Sequence, residues 1–136
     1  MSMRKIFQSG KEICRGEIII ANFEPVQGSE QGGIRPALIL QNDIYNKHSP
    51  TTVVALITSK KFSKNYPTNV SISKRDSKLK LDSTILLNQI RTIDKRRIKK
   101  TLSKLNPYLM SQVDGAMKIS LGFEWFFFTR DFHILL

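Results

Sequence analysis

Cysteine and histidine are almost missing from this chain, and acidic residues are outnumbered two to one by basic ones. Cys14 is the only cysteine, so an internal disulfide is excluded. His48 and His133 are the only histidines, too few with one thiol to build a zinc-ligand cluster. No carboxylate pair stands at a spacing that suggests acid–base work. Any chemistry is therefore either metal-independent or served by a metal on carboxylates, and no cofactor is expected. No apolar run is long and unbroken enough to span a bilayer, and the basic start M-S-M-R-K-I-F-Q-S-G-K-E lacks the apolar core of a signal peptide. A cytoplasmic protein without a membrane partner is the expectation. Walker, dinucleotide-binding and P-x-x-P patterns are absent, as are repeats and linkers.

What is abundant is positive charge. Lys and Arg number 22 against 11 Asp and Glu, a formal net charge of +11. That excess points to a polyanionic partner: nucleic acid first, an acidic protein second, a membrane surface third. The charge is also clustered. Lys60–Lys80 and Arg91–Lys104 each carry seven cations and one anion, and Lys95–Lys100 is the densest run. These runs read as a phosphate-tracking surface, with Tyr66 available to stack on a base. At 136 residues, with 40% apolar and 24% charged residues, the chain suits one globular domain.

Hydrophobic patterning predicts several short strands followed by one helix. Glu17–Phe23, Ala37–Gln41, Thr51–Thr58, Thr68–Ser73 and Ser83–Ile90 are apolar or alternating and rich in β-branched residues. Asn42–Asp43 and Asn46–Pro50 carry turn chemistry. Asn106-Pro107 pairs an N-cap residue with proline at the first helical position. Leu109, Val113, Ala116, Met117 and Ser120 then share a face, and Gly122 can end the helix. Consecutive strands without intervening helices argue for a compact, mainly β fold: a small antiparallel sheet or barrel with a C-terminal helix packed on it. The tail from Phe123 to Leu136 holds five of the eight phenylalanines and the only tryptophan. It reads as a final strand or arm covering the barrel, or as a partner-binding arm.

The stretch Pro25–Asn42, P-V-Q-G-S-E-Q-G-G-I-R-P-A-L-I-L-Q-N, sets a glycine-rich loop before a strand, with Arg35 at the junction. If the partner is RNA, metal-free cleavage needs an activated 2′-OH, a stabilised phosphorane and a protonated leaving 5′ oxygen. A guanidinium on a strand suits the second task, since it offers phosphate a planar fork of donors. Thr58, also at a strand end, can orient the phosphate or the 2′-OH. Neither residue is specific alone; each is also an ordinary surface or strand residue. His48 lies in a turn, where most histidines are merely solvated.

Taken together, R-G-E-I at 15–18, P-V-Q-G-S-E-Q-G-G-I-R-P at 25–36, Q-N-D at 41–43, S-P-T at 49–51, A-L-I-T at 55–58 and L-L-N-Q-I-R-T-I-D at 86–94 resemble the MazF/PemK family of toxin endoribonucleases. The resemblance runs from about Arg15 to Gly122. It implies an SH3-like barrel with a C-terminal helix, usually a homodimer. It also implies metal-independent, sequence-specific cleavage of single-stranded RNA or mRNA to 2′,3′-cyclic phosphate and 5′-OH ends. By position, Arg35 and Thr58 match the catalytic pair. Ser29, Glu30 and Gln31 match the loop that gates the RNA, and Tyr66, Pro67, Gln89 and Arg91 fall on segments near the bound bases. A cognate acidic, MazE-like antitoxin is the implied protein partner. Asn88 stands where many relatives carry Glu, and Phe62–Asn65 departs from their pattern. A silent RNA- or antitoxin-binding member of the fold and a gyrase-directed toxin are the rival readings.

Overall fold

The β-branched run Thr51–Thr58 forms a strand that the rest of the sheet is built around. The computed structural model describes residues 12–25, 28 and 32–123. In chain order these give β1 (Glu17–Asn22), β2 (Ile34–Ile39), α1 (Asp43–His48), β3 (Thr51–Thr58) and β4 (Asn69–Ile72). There follow α2 (Lys74–Ser77), β5 (Ser83–Asp94), a 3-10 turn (Lys95–Arg97), β6 (Ile98–Lys104) and α3 (Pro107–Leu121). The strands pair antiparallel in the order β4-β5-β3-β2-β1-β6. The mainly β fold with a C-terminal helix is as expected.

Both faces of this sheet are buried, and successive residues of each strand alternate between them. One core takes Ile18, Leu38, Ala55, Ile57, Ile85 and Leu87 together with Leu109, Val113 and Ala116 of α3. The other takes Ile19, Ile39, Val54, Leu56, Ile93 and Ile98, around a fully buried Phe23. Residues of β1, β2, β3, β5 and β6 meet in this second cluster, so the sheet curls around it as a barrel wall does. Asn106 caps α3 by accepting from the Leu109 N–H at 2.8 Å, and Gly122 ends it in the left-handed conformation at φ 78°. Both termini fall where the sequence places them.

Several elements differ from the sequence reading. The turn residues after Asn42 form α1, because the Asn42 side chain accepts from the Tyr45 N–H and starts a helix instead of a loop. The cationic run beyond Asp94 holds a strand, β6, which pairs with β1. β5 runs twelve residues to Asp94 instead of stopping at Ile90. β2 begins at Ile34, so Arg35 and Pro36 lie inside the strand and not before it. The expected loop residues Ser29, Glu30 and Gln31 lie outside the described residues, as do most of the N-terminal fourteen and the tail beyond Phe123.

Candidate active site

The register of β2 and β3 directs Arg35 and Thr58 toward one another. Ala37 pairs with Leu56, Leu38 with Ala55 and Ile39 with Val54. Carried two residues further, the same register sets Arg35 opposite Thr58. Directly opposed residues of antiparallel strands share a face, and here it is the face of Ala37, Ile39, Val54 and Leu56, the second core. The pair thus caps that core at its rim, Arg35 exposed and Thr58 partly buried.

Why the ladder stops at Ala37 follows from one residue. Ile39 accepts from the Gly16 N–H on the β1 side, while the Leu40 N–H donates to Val53 on the β3 side. Even-numbered residues of β2 therefore turn their backbone groups toward β3. Pro36 is one of them, and proline has no N–H to donate. β2 stays paired to β1 through Pro36 and Arg35, but its bonding to β3 ends. Arg35 and Thr58 lie just beyond the last paired residues of the two strands.

Local contacts orient both groups. Arg35 Nε donates to the Gly32 carbonyl at 2.5 Å, which leaves the two terminal amino groups of the guanidinium for a ligand. The following Gly33 has φ 82°, a conformation that disfavours any side chain, and its carbonyl accepts from the Phe23 N–H. Thr58 Oγ1 accepts from the Lys60 N–H at 3.1 Å, so its own hydrogen remains available to donate.

From Thr58 a groove of about 360 Å³ runs over the sheet. Lys60, Phe62 and Tyr66 wall it from the β3–β4 connection, and Thr68, Asn69 and Leu86 form the floor. Asn88 and Gln89 close it from β5, at an irregularity. Leu56 pairs with Leu86 but Ala55 with Ile90, so β5 has three residues, 87–89, that β3 does not match. An insertion of this kind pushes side chains out of the ladder. Phe62 and Tyr66 meet edge to face with centroids 6.1 Å apart, and Lys60 Nζ lies 5.6 Å from the Phe62 ring centre. Cations beside aromatic faces suit a nucleic-acid strand.

The expected residues divide accordingly. Thr58, Tyr66 and Gln89 line this groove; Pro67 lines a second groove beside β4. Arg35 stands at the mouth and is not among the described lining residues. Arg91 is half-buried, its guanidinium over buried Phe23 with Cζ 5.2 Å from the ring centre. His48 precedes β3 and Thr58 ends it, about 24 Å apart along an eight-residue strand. Within one chain His48 is remote from the pair. Asn69 was not singled out from sequence; Lys60 was read only as part of a basic run, and Phe62 and Asn88 only as departures from the family pattern. The spacing of Lys60, Phe62 and Tyr66, a cation interleaved with aromatics, was the signal.

Part of the densest basic run serves the fold. Lys95 is buried, and its ammonium donates to the Asn46 carbonyl; burial holds its pKa below the usual lysine value. Arg96 pairs with Asp94 at 2.9 Å, and Arg97 donates to the Asn22 and Glu24 carbonyls. Cations that serve the fold are indistinguishable in sequence from cations that serve a ligand. Burial, then the Glu17 carboxylate, pushes the Cys14 thiol up, away from the reactive thiolate. Among the described residues no three His, Cys, Asp or Glu side chains gather as a metal site.

A curled six-stranded sheet with a C-terminal helix, carrying an arginine–threonine pair above an aromatic, basic groove, defines a small mainly β protein built to meet a polyanion. The family model described as PemK-like, MazF-like toxin of type II toxin-antitoxin system matches residues 14–121, and the chain belongs to that family. A MazF structure from Deinococcus radiodurans is similar at 28% identity and TM-score 0.70, over 82% of this chain and 98% of that one. A MazE–MazF structure from the same organism has 26% identity and TM-score 0.67, over 82% and 98%. An endoribonuclease in complex with its cognate antitoxin, from mycobacterial species, shares the fold at 23% identity and TM-score 0.70, over 83% and 98%.

Proposed function

We propose that this chain is the toxin of a type II toxin–antitoxin pair and an endoribonuclease that cuts single-stranded RNA without a metal. The observation that carries the reading is Arg35 opposed to Thr58 at the open end of the β2–β3 ladder, above a groove that fits a nucleic-acid strand. The 2′-oxygen of one nucleotide attacks its own 3′-phosphorus as the bond to the next 5′ oxygen breaks. The 2′ proton leaves, the 5′ oxygen takes one up, and the ends are a 2′,3′-cyclic phosphate and a 5′-OH. Arg35 meets the phosphorane oxygens with its terminal amino groups and stands close enough to serve the leaving oxygen. Thr58 holds the phosphate or the 2′-OH in line, and Arg91 supplies positive potential from below. Tyr66, Asn88 and Gln89 hold the bases.

Family membership and the MazE–MazF likeness support an acidic antitoxin as the protein partner, and a homodimer as the working assembly. No helix among the described residues is long and apolar enough to cross a membrane, in keeping with action on cytoplasmic RNA. A gyrase-directed toxin or a silent binding member would not need the opposed pair.

The test is cleavage of a mixed-sequence single-stranded RNA in EDTA. Cuts at one short motif with cyclic-phosphate ends are expected. Arg35→Ala should lower the rate by about 10²–10³, the loss of one transition-state donor of about 2.7–4 kcal/mol, with RNA binding largely kept. RNA that is bound but intact would sink the reading, as would cleavage that Arg35→Ala leaves unchanged.

A further inference from the structure

The asparagine and glutamine side chains of the described residues fall into two groups. Most are bonded within the chain. Asn22 accepts from the Glu24 N–H, Asn42 from the Tyr45 N–H and Asn106 from the Leu109 N–H. Gln41 and Asn46 bond one another, and Gln112 donates to the Tyr108 hydroxyl. The side chains of Asn65, Asn69, Asn88 and Gln89 have no hydrogen-bond partner among the described residues. All four line the grooves. Asn69, Asn88 and Gln89 line the one that begins at Thr58, and Asn65 and Asn69 the adjoining one between β4 and α3. No carboxylate is among the described lining residues of either. An amide that the fold leaves unbonded holds a donor and an acceptor side by side for whatever enters.

We propose that Asn69 and Asn88 read an adenine of the bound strand, one on each side of its amino group. The inference rests on the reading of the chain as an RNA-cutting enzyme and adds the identity of a base. Asn69 of β4 pairs with Leu86 of β5, and Asn88 lies two residues beyond Leu86. The bond from the Leu87 N–H to the Thr68 carbonyl carries that ladder on toward Asn88. The two amides are therefore diagonal neighbours on one face, about 7–8 Å apart between Cα atoms. Adenine's edge runs acceptor, amino group, acceptor: N1, N6–H2, N7. Its amino group has two hydrogens, one beside each ring acceptor, so two amides can bond it at once, each through a matched donor–acceptor pair. No other base offers this. Cytosine and guanine have a ring acceptor on only one side of their amino group, and uracil has no amino group. Tyr66, set edge to face with Phe62 on the wall of the same groove, offers a ring for the base to stack on.

The test is binding of the full chain to a short 2′-fluoro oligouridine with one central base varied; its sugars have no 2′-OH to attack. Adenine at the centre should bind at least about fivefold more tightly than uracil, cytosine or guanine, the low end for a bidentate contact. Two analogues then probe each side of the amino group. 7-Deazaadenine lacks the N7 acceptor and N6-methyladenine lacks one amino hydrogen; each should bind about 2- to 10-fold more weakly than adenine. Asn69→Ala and Asn88→Ala should each shrink the adenine advantage, and each should cancel the penalty of a different analogue. Asn88 is exposed, so its replacement spares the fold. Equal binding of the four bases, preference for another base, or an adenine preference that both variants leave intact overturns the inference and leaves the enzyme reading standing. No binding of any strand overturns both.

Discussion

At the scale of single residues, position in the sheet separates the cations open to a ligand from those held by the fold. Arg35 is held by one backbone carbonyl and otherwise open; Arg91, a strand away on the same face, is spent on Phe23. Lys95 is the extreme case, a charge taken into the fold. Its pKa lies below the ordinary 10.5 because burial disfavours the ammonium. The folded chain therefore releases this proton at lower pH than the unfolded chain does. Between the two values the unfolded state binds more protons, so stability rises with pH there; below the folded value the penalty is present in full. Denaturant unfolding followed upward toward pH 10.5 should show this rise in the native chain and a flatter profile in Lys95→Met. Nothing in the run K-R-R-I-K-K distinguishes Lys95 from its neighbours, which is why the sequence alone assigned it to the surface.

At the scale of elements, the strand cores were legible because β-branched runs at Glu17, Thr51 and Ser83 have no other stable use. The boundaries were less so. Pro36 argues against a strand, and β2 includes it only because the missing N–H falls on the side where β3 has already parted. Pro36→Ala tests that account. It restores a donor toward β3, worth about 0.5–1.5 kcal/mol, and relaxes the unfolded chain by about 0.4–1 kcal/mol. Stability should therefore change little while the ladder closes. Exchange should slow at amide 36 and cleavage should fall, since the mouth between Arg35 and Thr58 narrows. Arg35 and Thr58 were each singled out from sequence; that the β2–β3 register points them at one another required the fold.

At the scale of the whole molecule, +11 is not one surface. Part of it is folded inward, and part lines the groove through Lys60 and its exposed neighbours Lys61 and Lys64. If Arg35 and these three lysines meet phosphates, log affinity for single-stranded RNA should fall with log salt at a slope of about −3. Lys60→Gln should reduce that slope by about 0.7, and Lys95→Gln should leave it unchanged; filter binding across a salt series reads both. The fold class and the caps of α3 were legible in the chain's order. The two-sided core was not, because alternation within a strand does not say what covers each face.

The pairing of β1 with both β2 and β6 sets a timetable for synthesis. β2 and β3 are neighbours in the chain, so the arginine and the threonine can meet as soon as one hairpin has left the ribosome. Glu17 finds Lys104 only when nearly all of the described chain exists, and until then Ile19, Phe23 and Ile98 have no closed interior beneath the pair. A nascent chain thus carries the reacting groups long before it has a floor to hold them. A polypeptide stopped at Arg97 should cut no RNA at any concentration, and a cell making this protein is spared its activity until β6 has been synthesised.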